Sequence, residues 1–150
     1  IQGQRRQGYA MAGPNCVFCK IIAGEIPSFR VLDTPEVLAF LDVGPLAPGH
    51  TLLIPKRHCE SILDVPTDAL ASLTAELPGL AGAILHATGA TGLNVLQNTG
   101  RPAGQVVFHL HFHLIPRREG DRLGFRWDAG AYGPGEAESV RSKIVGELPG

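Results

Sequence analysis

Polar and apolar positions alternate most strictly in the stretch F-H-L-H-F-H-L-I-P. There His109, His111 and His113 interleave with Leu110, Phe112 and Leu114. A period of two is the mark of a β-strand, whose successive side chains face opposite sides. The spacing predicts a strand over 107–115. One face would carry three imidazoles, roughly 7 Å from one to the next, and the other an apolar anchor in the core. Earlier in the chain, Val17, Phe18, Ile21 and Ile22 recur at helical spacing. They predict a short helix N-capped by Asn15, running to about Ala23 and ended by Gly24. Residues 29–32 and Val37–Leu41 read as strands around a turn at Asp33-Thr34-Pro35-Glu36, and Thr51–Pro55 as a short apolar strand. The stretch 64–87 reads as helical, with Pro66 near its start and Pro78 arguing for a kink or break. Gly92–Gln97 is a further strand, 98–105 a glycine-containing loop, and Glu136–Glu147 a last helix. The order αββ-β-α-ββ-α suggests an α+β domain with a mostly antiparallel sheet.

Composition narrows the class. The chain has 150 residues, enough for one domain with a real core. Thirteen basic and fourteen acidic residues give 13 − 14 = −1, which provides no field for a nucleic-acid polymer or a membrane surface. No apolar run approaches the roughly 20 residues that span a bilayer, and the N-terminus lacks a signal-type apolar core. Residues 1–12 are expected to be a flexible tail, with Met11 a candidate natural start, and 13–150 a single domain. Cys16, Cys19 and Cys59 are too few and odd in number for a disulfide framework, so a reducing cytoplasm is the expected setting.

A histidine face on a strand with an apolar back is costly unless something uses it. Half of the six histidines of the chain fall in these five positions, which argues against an incidental surface strand. Two chemical readings are a catalytic metal site, since H-x-H on a strand can chelate zinc, and a histidine nucleophile. Neutral imidazole attacks phosphorus well and leaves well, splitting one hard displacement into two easier ones. The preceding N-x-G-x-x-x-G-Q of 98–105 favours the nucleophile, because backbone N–H groups of such a loop can cradle phosphate oxygens.

With C-V-F-C-K-I-I-A-G-E-I-P at 16–27, F-L-D-V-G-P-L-A-P-G-H at 40–50 and L-L-I-P-K-R-H at 52–58, the N-T-G-R-P-A-G-Q and H-L-H-F-H-L segments resemble the histidine-triad (HIT) superfamily. The likeness is closest to its Hint-like nucleotide-binding branch and runs from about Asn15 to Arg117. It implies a HIT-like α+β fold, with an antiparallel sheet of about five strands, a long helix, short N-terminal and C-terminal helices, and a homodimer. It also implies a nucleotide-binding hydrolase or transferase acting at the α-phosphate of purine nucleoside phosphoramidates or related conjugates. In that reading His111 is the nucleophile that becomes nucleotidylated, and His113 contacts the phosphate and leaving group. Asp42 would hold the ribose hydroxyls, with Val43 beside it. Asn98, Gly104, Gln105 and Val106 would surround the phosphate, and Phe18 and Ile21, with Val17, would wall the base. Ordinary helix core is the alternative for those three, and a turn cap the alternative for Asp42. The resemblance fades into a C-terminal extension from about 118. One departure stands out: some members carry a hydroxyl where this chain has Val106, whose side chain neither donates nor accepts. A dinucleoside polyphosphate hydrolase and a non-catalytic nucleotide-binding or partner-binding module remain the alternatives.

Cys16 and Cys19 form C-x-x-C at a helix start. A redox role needs a thioredoxin-like βαβ context, and none precedes it. A structural zinc needs two further ligands, for which His58 and His109 are candidates. Some bacterial and archaeal HIT proteins look like this. Such a metal would be four-coordinate and closed, and the chemistry would need no catalytic cofactor. Cys59 is expected to be a buried thiol, although it could compete with His58. His50 reads as a turn or core residue with a lesser claim on the active site, and His86 as surface. Arg101, Arg117, Arg118, Arg122 and Arg126 gather around the histidine strand, either as solvated charge or to meet a second phosphate. Trp127 is expected to pack at an interface or on the sheet.

Overall fold

The structure, a computed structural model, describes residues 15–124 and 128–150. The expected N-terminal tail, Met11, Arg126 and Trp127 lie outside these residues. Five strands pair antiparallel throughout: β1 (Arg30–Asp33), β2 (Val37–Leu41), β3 (Thr51–Pro55), β4 (Gly92–Gln97) and β5 (Phe112–Arg117), in the order β1-β2-β3-β5-β4. This is the α+β sheet that the order of elements suggested.

The period of two sorts the core into two layers. Val37, Ala39, Leu53, Leu110 and Leu114 project to one face. There they pack with Leu73, Leu80 and Ile84 of α2 (Thr67–Ala75) and α3 (Leu77–Thr88). Leu38, Phe40, Leu52 and Ile54 project to the other and meet Phe18 and Ile21 of α1 (Val17–Ile22). Leu38, Leu53, Ile54, Leu110 and Leu114 are fully enclosed, each contributing about 1.5–3 kcal/mol of burial. The leucines of the long helix are thus largely spent on the core: Leu73 and Leu80 are buried and Leu77 packs against them.

The long helix bends where Pro78 foretold. α2 ends at Ala75, Glu76 caps it, and α3 begins at Leu77 with proline in its first turn. The combined stretch Thr67–Thr88 has the length and composition of a membrane span, more apolar than the sequence reading allowed. Here it lies against the sheet. Gly49 lets the chain pass close beneath it. Its φ is +98°, and a Cβ there would sit 2.6 Å from the Thr88 methyl, so a side chain would be strained and would have to push Thr88 aside.

The first strand runs one residue later than expected, taking in Asp33, and the long helix starts at Thr67 rather than 64; two further departures bear on the site. Helix α1 starts at Val17, because Cys16 rather than Asn15 is the N-cap, its sulfur accepting from the Cys19 amide. The histidine strand becomes regular only at Phe112. Pro55 has no N–H to offer a partner, and its carbonyl accepts from the His109 ring at 2.8 Å. The Leu110 amide donates instead to the Cys59 carbonyl at 2.8 Å. On the other side, β4 ends at Gln97 opposite Phe112. The alternation nonetheless persists through 109–114, with Leu110, Phe112 and Leu114 on the helix side and the rings of His109 and His111 against Phe18 on the other.

Candidate functional site

The histidine face divides into two sites. At one end, Cys16, Cys19, His58 and His109 converge, with one ligand atom from each lying within 4.8 Å of all the others. Cys16 Sγ is 3.4 Å from His109 Nδ1, Cys19 Sγ 3.2 Å from His58 Nδ1, and the two Nδ1 atoms 3.1 Å apart. The Pro55 carbonyl can only accept, so His109 carries its hydrogen on Nε2 and turns a bare Nδ1 lone pair into the cluster. Such a carbonyl-anchored imidazole is the usual outer support of a metal-ligating histidine. The Cys19 amide donates to the Cys16 sulfur at 3.4 Å, which favours the thiolate there. A thiolate is the form that ligates. Two sulfurs and two imidazole nitrogens, convergent and all but Cys16 buried, fit a closed tetrahedral ion of zinc type. Cys59 is not among them. It is buried in the core layer under the long helix, and burial pushes its thiol up to about 12.

At the other end stand His111, His113 and His50. The Nδ1–H of His111 donates to the His109 carbonyl at 2.8 Å, which leaves Nε2 unprotonated. Phe18 packs edge-on against this ring, with centroids 5.1 Å apart. Burial pulls the His111 imidazole below its ordinary value, partly offset by the carbonyl bond, so the ring stays neutral. A second chain of bonds fixes His113. The Leu46 amide can only donate, and it donates to His50 Nδ1 at 3.1 Å. His50 therefore carries its hydrogen on Nε2 and donates it to His113 Nδ1 at 2.9 Å. His113 in turn holds its hydrogen on Nε2. Burial, with His111 and His50 nearby, takes the His113 imidazole down to about 4.

Asp42 stands at this end too. One carboxylate oxygen accepts from the Gly44 amide at 2.8 Å, which is the turn-cap role. The other lies 3.7 Å from His50 Nε2, beyond hydrogen-bond range but close enough to matter electrostatically. Asp42, His50 and His113 also converge closely enough to hold an ion. The Leu46 amide argues against that use, because it keeps a hydrogen on the His50 nitrogen that would have to ligate.

The glycine loop follows β4 as a 3-10 turn, Arg101–Ala103, closed by Gly104 at φ +101°. A Cβ on Gly104 would lie 3.3 Å from the Asn98 amide nitrogen, so the glycine lets the loop fold onto Asn98. The Gly104 and Gln105 amides close the turn on the Arg101 and Gly100 carbonyls. The Gln105 side chain is buried and donates to the Glu60 and Val107 carbonyls. Val43 and Val106 are more than three-quarters exposed. Phe18 and Ile21 belong to the core beneath α1, and Val17 is partly exposed. His86 lies on the surface.

Among the arginines, Arg117 is held by Asp121 and Asn94, and Arg118 by the carbonyls of Thr88 and Gly89. Arg101, whose guanidinium lies over the Phe108 ring at 5.2 Å, stands on the glycine loop itself. The least foreseen member of the site is His50. Its only sequence signal is the P-G-H that follows the Asp42 loop, and the backbone donor that sets its tautomer has no side-chain signature.

A five-stranded antiparallel sheet that presents a row of buried imidazoles beside a glycine loop defines a class of α+β domains. The HIT domain model matches residues 23–120, and the chain belongs to the HIT family. It is 41% identical over 139 residues to adenosine 5'-monophosphoramidase HNT1 of Candida albicans, spanning 89% of this chain and 91% of that protein. A crystal structure of a HIT family member from Bacillus subtilis superposes with TM-score 0.86 and 41% identity, over 91% of this chain and 99% of that one. A zinc-bound histidine triad family protein from Mycobacterium smegmatis superposes with TM-score 0.70 and 36% identity, over 89% and 98%. The family and its hydrolase members support a nucleotide hydrolase as the coarse reading.

Proposed function

We propose that the protein is a nucleotidyl hydrolase or transferase acting on purine nucleoside phosphoramidates or related nucleotide conjugates. The observation that carries this is the bond from His111 Nδ1–H to the His109 carbonyl, which leaves Nε2 as a neutral, oriented nucleophile. The Nε2 lone pair attacks the α-phosphorus while the bond from phosphorus to the leaving nitrogen breaks, giving a nucleotidyl-His111 intermediate. Water then attacks the same phosphorus and the bond to Nε2 breaks. The departing amine gains one proton and the attacking water releases one, so a turnover leaves the protonation of the site unchanged. His113 offers its Nε2–H to the phosphate and leaving group, in an orientation held by His50. Val106 supplies no side-chain hydroxyl, so the triad and the backbone must serve the leaving group. In this reading Asp42 takes the ribose hydroxyls, Val43 and Val106 form the rim, Phe18 and Ile21 back the base side, and Asn98 and the 104–106 turn meet the phosphate, through the Val106 end because the Gly104 and Gln105 amides close the turn itself.

We further read Cys16, Cys19, His58 and His109 as a structural zinc site in a cytoplasmic protein. The name of the Mycobacterium smegmatis neighbour supports the metal, and a chain with three cysteines, an odd number too small for a disulfide framework, fits a reducing compartment. A homodimer is supported by β4, an edge strand with Val95 and Leu96 exposed.

The test is mass spectrometry of protein quenched during turnover of an adenosine phosphoramidate, with a dinucleoside polyphosphate run in parallel. Nucleotide mass on the peptide containing His111 is expected, together with faster turnover of the phosphoramidate. Turnover without any labelled histidine would sink the covalent route.

A further inference from the structure

Three consecutive residues grip the catalytic segment from one side. The His58 ring meets the His109 ring in the Cys-His cluster, with Nδ1 atoms 3.1 Å apart. The next carbonyl, of Cys59, accepts from the Leu110 amide at 2.8 Å. The carbonyl after that, of Glu60, accepts from the Gln105 side chain at 2.7 Å. The grip has its own brace: the Asp64 carboxylate accepts from the amides of Glu60 and Ser61 at 3.1 and 2.9 Å.

Gln105 is the far end of this arrangement. It is 3% exposed. A glutamine amide has two N–H donors, and here Nε2 makes two bonds, to Glu60 and, at 3.1 Å, to the Val107 carbonyl. Its Oε1 accepts from the Gly100 amide at 2.8 Å, and its own N–H donates to the Gly100 carbonyl at 3.1 Å. Both donors are spent inside the fold, and none is left for a phosphate oxygen. Gly100, at φ +85°, is where the loop leaves β4 to begin its 3-10 turn.

We infer that Gln105 is a positioning residue, a strut tying the glycine loop to the 58–60 segment, and that a metal ion in the Cys16/Cys19/His58/His109 cluster sets the order of that loop through it. The inference rests on reading this loop as the phosphate cradle. The metal would hold His58 against His109, which holds the two following carbonyls in register with Leu110 and Gln105. Losing the ion loosens the near end of the clamp, and losing Gln105 disconnects the far end.

Amide hydrogen exchange on the full chain, followed by NMR without nucleotide, tests this. Zinc alone is the probe, added to and chelated from the wild type and Gln105→Leu. Removing zinc from the wild type is expected to speed exchange of the Gly100 amide about tenfold, the scale of one lost hydrogen bond. In Gln105→Leu that amide is expected to exchange fast with or without zinc, while the β2–β3 amides keep their protection. In the zinc-loaded state the variant should bind AMP more weakly than the wild type. A protein that takes up no zinc, a Gly100 amide indifferent to zinc, or the same zinc response in both proteins would overturn the inference. Should either state unfold, as loss of β2–β3 protection would reveal, Asp64→Ala replaces it. That change removes the exposed brace and should speed Gly100 exchange in the zinc-loaded protein, and an unchanged rate again overturns it. Exchange is read without substrate, so absence of phosphoramidase activity would count against the proposed function and leave this result standing.

Discussion

His109 and His111 are two residues apart, share one face of the sheet and touch the same phenylalanine, yet they are mounted in opposite senses. His109 gives its Nε2–H to the Pro55 carbonyl and turns a bare Nδ1 toward two thiols and a second imidazole. His111 gives its Nδ1–H to the His109 carbonyl and is left with a bare Nε2. One backbone carbonyl in each case decides which nitrogen is free, and so whether the ring suits a metal ligand or a nucleophile. The residue type and the strand position are the same. The difference lies in which carbonyl each ring can reach.

The sharpest way to break this comparison is to remove one member at a time. His111→Ala should lower turnover by at least about three orders of magnitude, the usual cost of losing a nucleophile. It should leave AMP binding measurable by calorimetry and zinc content unchanged. Cys16→Ser with Cys19→Ser should do the reverse in kind. Metal analysis is expected to find no stoichiometric zinc, and the unfolding midpoint should fall by about 10 °C or more. If the His111 variant lost zinc, or the double cysteine variant kept both its zinc and its thermal stability, the two sites would not be the separate devices described.

A smaller effect should appear in the pH dependence of stability. The His113 imidazole is taken down to about 4 in the fold, mainly by burial and then by His111 and His50, against an ordinary 6.5. Between these values the unfolded chain takes up a proton that the folded one refuses. The contribution of His113 is therefore complete above 6.5 and is lost as pH falls toward 4. Denaturant unfolding at a series of pH values should show stability declining through this window, with a shallower decline in His113→Gln. Equal slopes in the two proteins would contradict the assignment.

Much of this was legible in the chain. Strands β2, β3 and β4 and the last helix, Glu136–Glu147, fall where periodicity and turn residues place them; β2 and β3 are apolar runs between breakers, and β4 and the helix are bounded by glycine-containing turns. The bend at Pro78 follows from a missing N–H. The four cluster residues could be picked out as thiols and imidazoles, and the structure brings them together. What the pattern hid is carried by backbone groups. Nothing in the residue types 107–111 says that β3 runs out at a proline whose carbonyl is taken by an imidazole. Nothing in Leu46 says that its amide sets the tautomers of His50 and His113, and Gln105 reads as a phosphate contact until its two donors are traced inward. Alternation assigned the faces correctly, but hydrogen-bond partners on distant segments assigned the roles.

The most direct test of the account is a long-range proton–nitrogen NMR spectrum of the imidazoles in the zinc-loaded protein at neutral pH. The prediction is a neutral His111 protonated at Nδ1 with an unprotonated Nε2, beside a His109 protonated at Nε2 with metal on Nδ1. Finding His111 protonated at Nε2, or both rings in the same tautomer, would contradict it.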